Sequence, residues 1–428
     1  MKNKLVVLSI TAAMVGTATM SFGAGFKIAE QGAKAMGMAN AFTAQADDPS
    51  ALAYNPAGIA FLKGSQFQLG TTTIMVPQTE FNGKTKLKAT DVSEKANRDI
   101  FIAPTVYATT SLESIPLSFG LGVNSFHPLA KRWDASSEFR DSIQEISIKP
   151  INFQPTVAYR FDDMKLSVAG GVDITYAQVS LQKMAYAVSG NAATGATSAL
   201  ELGVLGADAT ATGYGYNFGL LWKPITNLSL GAAYRSKIKL SLDGDATFLR
   251  TGSSATALAL FPNPTVKTTG STDITLPDAL SLGVAWKPID KLTLEFDVER
   301  TGWSSYKELT LNFGTPLAAL SGKTDPKNWK DVWAYRFGTQ YAVTPKLDLR
   351  AGYAYDTSPA PGDTVGPELP DADRHNFSIG SGFHNDFGSI DLAYMWVHWV
   401  DRTVSNSKEV GTFKSDAHLL AASVTLKF

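Results

Sequence analysis

Side chains able to do chemistry are present in this chain, yet they form no catalytic pattern. The five histidines, His127, His375, His384, His398 and His418, show no metal-ligand spacing, and His398 and His418 suit interfacial positions. Neither a nucleophile elbow nor a phosphate-binding loop occurs, no Ser/His pair is marked out, and nothing calls for a cofactor or a metal. What stands out is charge at every second residue. Glu295, Asp297 and Glu299 alternate with Leu294, Phe296 and Val298; Arg235, Lys237 and Lys239 share one face of Leu228–Leu242; Asp348 and Arg350 alternate with Leu347, Leu349 and Ala351. A period of two puts each charged set on one face of a strand. By the same parity Arg336 joins Arg235, Lys237 and Arg350, and these cations would pair with Glu295, Asp297, Glu299 and Asp348 across a shared polar space.

Such charged faces would be prohibitive in a sandwich core. They suit an all-β, transmembrane antiparallel β-barrel, whose apolar face meets lipid and whose polar face meets a lumen. The 36 glycines, 14 tyrosines and 23 phenylalanines of the 428 residues agree with β structure rich in turns. A net charge of −1 gives no reason to expect a nucleic-acid partner, and the absence of cysteine means that no disulfide framework is needed. Residues 1–23 read as a signal peptide: Lys2 and Lys4, then the apolar Leu5–Met20, then Ser21-Phe22-Gly23 as a small-x-small cleavage site.

Strand-like segments fall at 65–77, 100–111, 115–125, 141–162, 165–183, 211–223, 227–243, 270–288, 291–312, 328–343, 346–356, 373–385, 387–403 and 412–428. That gives fourteen, an even number as in bacterial single-chain barrels. Tight turns, such as Asp162-Asp163 and Thr344-Pro345, alternate with long segments near 78–99, 126–140, 184–210, 244–269, 313–327, 357–372 and 404–411. Short periplasmic turns and long extracellular loops produce this alternation and put both termini in the periplasm. Trp222-Lys223-Pro224-Ile225 repeats as Trp286-Lys287-Pro288-Ile289, with Tyr341 before Pro345 as a looser copy; each places an aromatic before a short turn, where an interfacial girdle would lie. Trp303, Trp329, Trp333, Trp396 and Trp399 would form the girdle at the opposite ends. The last strand alternates Leu420, Ala422, Val424 and Leu426 with polar or small residues and stops on Phe428.

The segment 24–64 is too irregular for a strand and is broken by Asp48-Pro49 and Asn55-Pro56. It reads as a hatch, a plug for the lumen that a barrel of fourteen strands leaves unfilled, and 65–428 as the barrel with its long extracellular loops.

Here a family resemblance enters. Gly25-Phe26, Glu30-Gln31, Asn40-Ala41-Phe42, Ala46-Asp47-Asp48-Pro49-Ser50 and Tyr54-Asn55-Pro56-Ala57-Gly58 resemble the hatch of the FadL/TodX family, outer-membrane transporters of long-chain fatty acids and other hydrophobic compounds. Leu276-Pro277, Trp303, Trp329 with Asp331, Tyr335-Arg336, Gly338, Arg350-Ala351-Gly352, Asp356 with Pro359 and Pro361, Leu369-Pro370-Asp371 and Asp373-Arg374 extend the resemblance into the C-terminal half. The resemblance implies a transporter in the outer membrane of a Gram-negative bacterium, embedded in its lipid as a monomer, and not an enzyme. Its ligand would be a long-chain fatty acid or another hydrophobic small molecule, moving by passive diffusion and leaving sideways through a gap in the wall beside the hatch's Asn55-Pro56-Ala57-Gly58.

A kinked third strand is expected at Gly120 and Gly122, glycines that either weaken the ladder there or let the hatch approach. Apolar residues of two loops, Phe126, Leu129, Trp133 and Phe139 in one and Leu258, Leu260 and Phe261 in the other, would form a ligand groove between them or pack the loops together. Arg235, Lys237, Arg336 and Arg350 are the candidates to meet a fatty-acid carboxylate. Rival readings are a channel for aromatic or aliphatic hydrocarbons, a lipid-binding surface adhesin, and a general porin.

Overall fold

The computed structural model describes residues 25–428 apart from 77, 113, 191–196, 316, 318, 319 and 321. The expected signal peptide and Ala24 lie outside the described residues. Fourteen wall strands follow one another: β1 (Ser65–Val76), β2 (Asp99–Ser111), β3 (Leu117–Asn124, resumed at Leu129–Arg132), β4 (Glu145–Phe161), β5 (Leu166–Gly190), β6 (Thr197–Ile225) and β7 (Leu228–Arg235, resumed at Ile238–Arg250). The second half is β8 (Thr265–Leu276, resumed at Ala279–Ile289), β9 (Leu292–Thr301, resumed at Glu308–Phe313), β10 (Val332–Thr344), β11 (Leu347–Asp356), β12 (Arg374–Asn385), β13 (Gly388–Trp399) and β14 (Asp416–Lys427). Each pairs antiparallel with the next, and β14 returns to β1 from Gln66↔Lys427 to Met75↔His418, so the sheet closes as a barrel.

Alternation sets the two faces. Along β9 Glu295 and Asp297 are buried inside while Leu294 points outward, and Ile390, Leu392, Leu420 and Val424 are likewise exposed on the outer face of β13 and β14. Trp222, Trp286 and Tyr341 face outward beside the short turns, and Trp333 and Trp396 do so at the other end. Trp303, Trp329 and Trp399 do not: all three are buried, the first two inside the barrel against Phe26. At a strand end, an aromatic that faces lipid and one that faces a packed lumen look alike in sequence.

Two expected loops are largely strand. β5 runs for 25 residues and β6 for 29, whereas crossing a bilayer takes about ten. Their outer parts rise past the membrane and, with β7 and β8, enclose a small core around Leu202, Leu205, Phe248 and Phe261. Beyond the membrane the outward face meets water and the inward face packs loops, so the alternation inverts its chemistry. Lys237 shows this: β7 breaks at Ser236-Lys237, and beyond the break Ile238 and Leu240 are buried while Lys237 points outward, 51% exposed, near Asp278. The expectation that Lys237 faces the lumen is therefore corrected. The loops near 78–99 and 404–411 also carry strands, joined as a four-stranded sheet (Arg402–Ser405, Glu409–Lys414, Glu80–Thr85, Lys88–Lys95).

Among the described residues the ladder parts between β2 and β3, and not at the expected glycines. Gly120 and Gly122 sit in unbroken ladders to β2 and β4. A Cβ on Gly120 would lie 2.6 Å from the Leu52 side chain, so this glycine makes room for the N-terminal segment. The break comes next, at 125–128, where Pro128 has no N–H to give. Pairing of β2 with β3 stops at Val106↔Val123, and among the described residues Asp99–Thr105 pair only with β1. Farther out the Asn97 N–H donates to the Arg132 carbonyl (2.9 Å), which bounds the gap. The backbone groups lost from the ladder turn inward: the Phe126 carbonyl accepts from the Ile28 N–H (2.8 Å) and the Ser125 carbonyl from the Gln31 side chain (2.8 Å).

Candidate functional site

Residues 25–64 lie inside the barrel as two short helices, α1 (Ala33–Met36) and α2 (Ala51–Tyr54), and a 3₁₀ turn, Pro56–Phe61. Asn55 caps that turn through a bond from the Ala57 N–H (3.2 Å), and Pro56 at its first position has no donor to waste. The Asn55 amide also donates to the carbonyls of Thr43 (2.8 Å) and Leu220 (2.9 Å), and Ser167 donates to the Ala57 carbonyl (2.8 Å). Asn55-Pro56-Ala57 thus rests on β5 and β6, while the wall gap faces Ile28–Gln31. Gly58 is buried against Ala46, whose carbonyl would lie 2.2 Å from any Cβ added there.

Wall glycines let this backbone come close. Gly219, Gly231, Gly283, Gly338, Gly352 and Gly380 each face it, and a Cβ at any of them would fall within 3.0 Å of an atom of the segment. Several are cross-strand neighbours, Gly231↔Gly283 and Gly338↔Gly352, so they form a band at one level.

Two cavities lie along the lumen. The inner one, about 60 Å³, is a polar chamber that Lys27, Tyr54, His127, Arg235, Glu299 and Arg336 help to line. Lys27 pairs with Glu299 (2.7 Å), Arg336 lies 3.5 Å from both Glu299 and Asp356, and Arg235 pairs with the fully buried Asp173. The Arg235 guanidinium also stacks over Phe126, 4.0 Å from its ring centroid.

The outer cavity, about 70 Å³, is an apolar groove that Phe26, Leu129, Ile148, Ile274, Trp329 and Leu369 help to line. One ion pair stands at its margin, Lys327 with Glu368, and Lys327 also reaches Asp325 (2.9 Å). Burial disfavours the Lys327 charge, but Glu368, Tyr306 and Asp325 outweigh it and hold the ammonium above the ordinary lysine range. Burial likewise opposes the Glu368 charge, and Lys327 and Lys408 overcome it, leaving the carboxyl below its ordinary range. Between groove and chamber stand rings packed edge to face or tilted: Phe26 lies 4.6 Å from Trp303, 5.9 Å from Trp329 and 6.3 Å from His127.

Of the expected cations, Arg235 and Arg336 meet in the chamber. Arg350 does not: it lies near the short-turn end with its side chain 2% exposed, bound to Asp391 (2.7 Å), Gln340 (2.8 Å) and Asp348 (3.4 Å), which leaves it no free face for a ligand. Glu295 and Asp297 accept from backbone rather than from cations, as described below. Phe126 lines the chamber and Leu129 the groove. Trp133 and Phe139 pack with Phe81 and Phe413 under the four-stranded sheet. Leu258 and Leu260 are exposed, and Phe261 stacks on Phe248, 4.1 Å away, in the separate outer core. Among the described residues the two loops pack into separate cores, the second on its own long hairpin. Lys27 and Lys327 carried no sequence signal; a lysine among polar residues gives no sign that its surroundings will fold over it.

Comparison with known proteins agrees with this architecture. A family model described as outer membrane protein transport protein (OMPP1/FadL/TodX) matches residues 14–428. The long-chain fatty acid transport protein of Escherichia coli O6:H1 is 25% identical, over 91% of this chain and 90% of that protein. The crystal structure of a Pseudomonas aeruginosa FadL homologue superposes with a TM-score of 0.84 at 22% identity, covering 95% of this chain and all of that one. The toluene transporter TodX of Pseudomonas putida gives 0.70 at 18% identity, covering 93% and 98%. At these identities the two structures speak to the fold alone.

Proposed function

The chain belongs to the outer membrane protein transport family (OMPP1/FadL/TodX), transporters of fatty acids and other hydrophobic compounds, and from that premise we propose that it takes up long-chain fatty acids. The observation that carries this reading is the apolar groove with a single lysine at its margin. An acyl chain buried there gains about 25 cal/mol per Å² of apolar surface, and a carboxylate beside Lys327 exchanges water for a charge-assisted bond. The carboxylate must displace Glu368, so binding is an exchange of one carboxylate for another.

From the groove the ligand passes Phe26 when residues 25–64, acting as a hatch, shift. The polar chamber below suits a headgroup, and Arg235 and Arg336 are the cations it would meet there. Exit is sideways through the gap between β2 and β3, where Ile100 and Ile102 face lipid. In this reading the long loops are extracellular, both termini are periplasmic, and the unit is a monomer driven by diffusion alone. The similarity to the long-chain fatty acid transport protein of E. coli supports the same substrate.

The test is titration calorimetry of oleate and toluene on detergent-purified protein, wild type and Lys327→Met/Glu368→Gln, a pair of changes that leaves no buried charge alone. Oleate affinity should fall about tenfold or more, the worth of one hydrogen bond to a charged group, while toluene is unaffected. A second reading, uptake of neutral aromatic hydrocarbons, is favoured by the groove's apolar lining and by Lys327 being already paired. Tight toluene binding with oleate indifferent to the double change would establish that reading instead.

A further inference from the structure

Among the buried carboxylates of the lumen wall, Glu295 and Asp297 differ from Asp173, Glu299, Asp348, Asp356 and Asp391, each of which meets an arginine. Both are about 2–3% exposed, and among the described residues neither has a lysine or arginine nitrogen within 4.0 Å. Their partners are four consecutive main-chain N–H groups of residues 42–45. Phe42 and Thr43 both donate to Asp297 Oδ2 at 2.8 Å. Ala44 donates to Glu295 Oε1 at 2.6 Å, and Gln45 to both Glu295 oxygens at 3.1–3.2 Å.

We propose that Glu295 and Asp297 are the clamp that sets the closed state of the channel, holding residues 42–45 through their four main-chain N–H groups. This rests on the reading of the N-terminal segment as a movable hatch. The residues lie two apart on β9, so both side chains enter the lumen at one level. Their cross-strand neighbours are glycines, Gly283 opposite Asp297 and Gly338 opposite Glu295, which leaves the backbone of residues 42–45 free to come into reach. Hydrogen bonds to a carboxylate are roughly twice as strong as neutral ones, and four of them act together on one short segment.

Planar-bilayer recordings of the full chain test this, with Glu295→Gln, Asp297→Asn and the double variant. The amides keep shape and an acceptor oxygen but lose the charge. The double variant should raise the fraction of time spent open at least tenfold, each single variant less, with the barrel's thermal unfolding unchanged. Gly231→Val is the companion, since a Cβ there would lie 2.1 Å from the Thr43 carbonyl and unseat the segment without touching either carboxylate. Opening in Gly231→Val but not in the amide variants overturns the clamp and leaves the hatch standing. No opening in any of them overturns both.

Discussion

The groove outside Phe26 and the chamber inside it are a few residues apart along the chain and opposite in chemistry. Phe26 lines the first and Lys27 the second, so one step along an extended backbone crosses from one to the other. The groove is built from side chains of loops and outer strand ends, where the inward face of the barrel has become apolar. The chamber is built from the inward face at membrane depth, where polar residues are the rule because the apolar ones are committed to lipid. Under the proposed function, affinity for a greasy ligand is assembled beyond the bilayer and the lumen within it provides passage for a headgroup.

The comparison can be broken most forcefully in the chamber. Arg235→Ala leaves Asp173 buried without its cation, which costs about 3–5 kcal/mol; the thermal unfolding midpoint should fall by several degrees, while oleate affinity at the groove is retained. Loss of oleate binding in a folded Arg235→Ala protein would merge the two cavities into one site. In the groove, Ile148→Asp places an unpaired carboxylate against the acyl chain, and oleate affinity of the folded protein should fall about a hundredfold, equivalent to about 3 kcal/mol, while the buried position lowers thermal stability as well. Glu368→Gln alone sharpens the contrast, since it frees Lys327 from its resident competitor; calorimetry should show oleate bound several-fold more tightly and toluene unchanged.

The smallest effect concerns the cover above the groove. Burial and the neighbouring Glu368 push the Glu409 carboxyl up to about 8, with Lys408 partly offsetting them and Asp141 and Asp325 adding to the push. A raised acid pKa favours the protonated form in the fold, so this contribution is complete below the ordinary glutamate range and disappears as pH rises through about 8. Hydrogen exchange in Glu80–Lys95 and Arg402–Lys414 should therefore be slower at pH 5 than at pH 8.5 by more than the intrinsic chemistry predicts. Glu409→Gln should abolish that excess.

The barrel was legible in the sequence wherever both faces carried their membrane roles. Leu294, Phe296 and Val298 against Glu295, Asp297 and Glu299 fix one strand and its facing, and the same logic gives fourteen strands. Past the membrane the rule lapses, which is why Lys237 was turned the wrong way and the outer parts of β5 and β6 were read as loop. The groove was not legible, because it draws Phe26, Leu129, Ile274 and Leu369 from distant parts of the chain, none of which marks the others. The seat of the N-terminal segment left a trace that parity alone could not interpret: Glu295 and Asp297 were seen as inward charge, but their backbone partners have no sequence signature.

The broken third strand bears on how the molecule is put together. Its Ser125 and Phe126 carbonyls are satisfied by Gln31 and Ile28, not by a neighbouring strand. A barrel that closed around an empty lumen would leave these inward acceptors to lumen water and the edge of β2 without a partner. The N-terminal segment thereby supplies bonds that the broken strand does not make with its neighbour, and the wall and its filling complete one another.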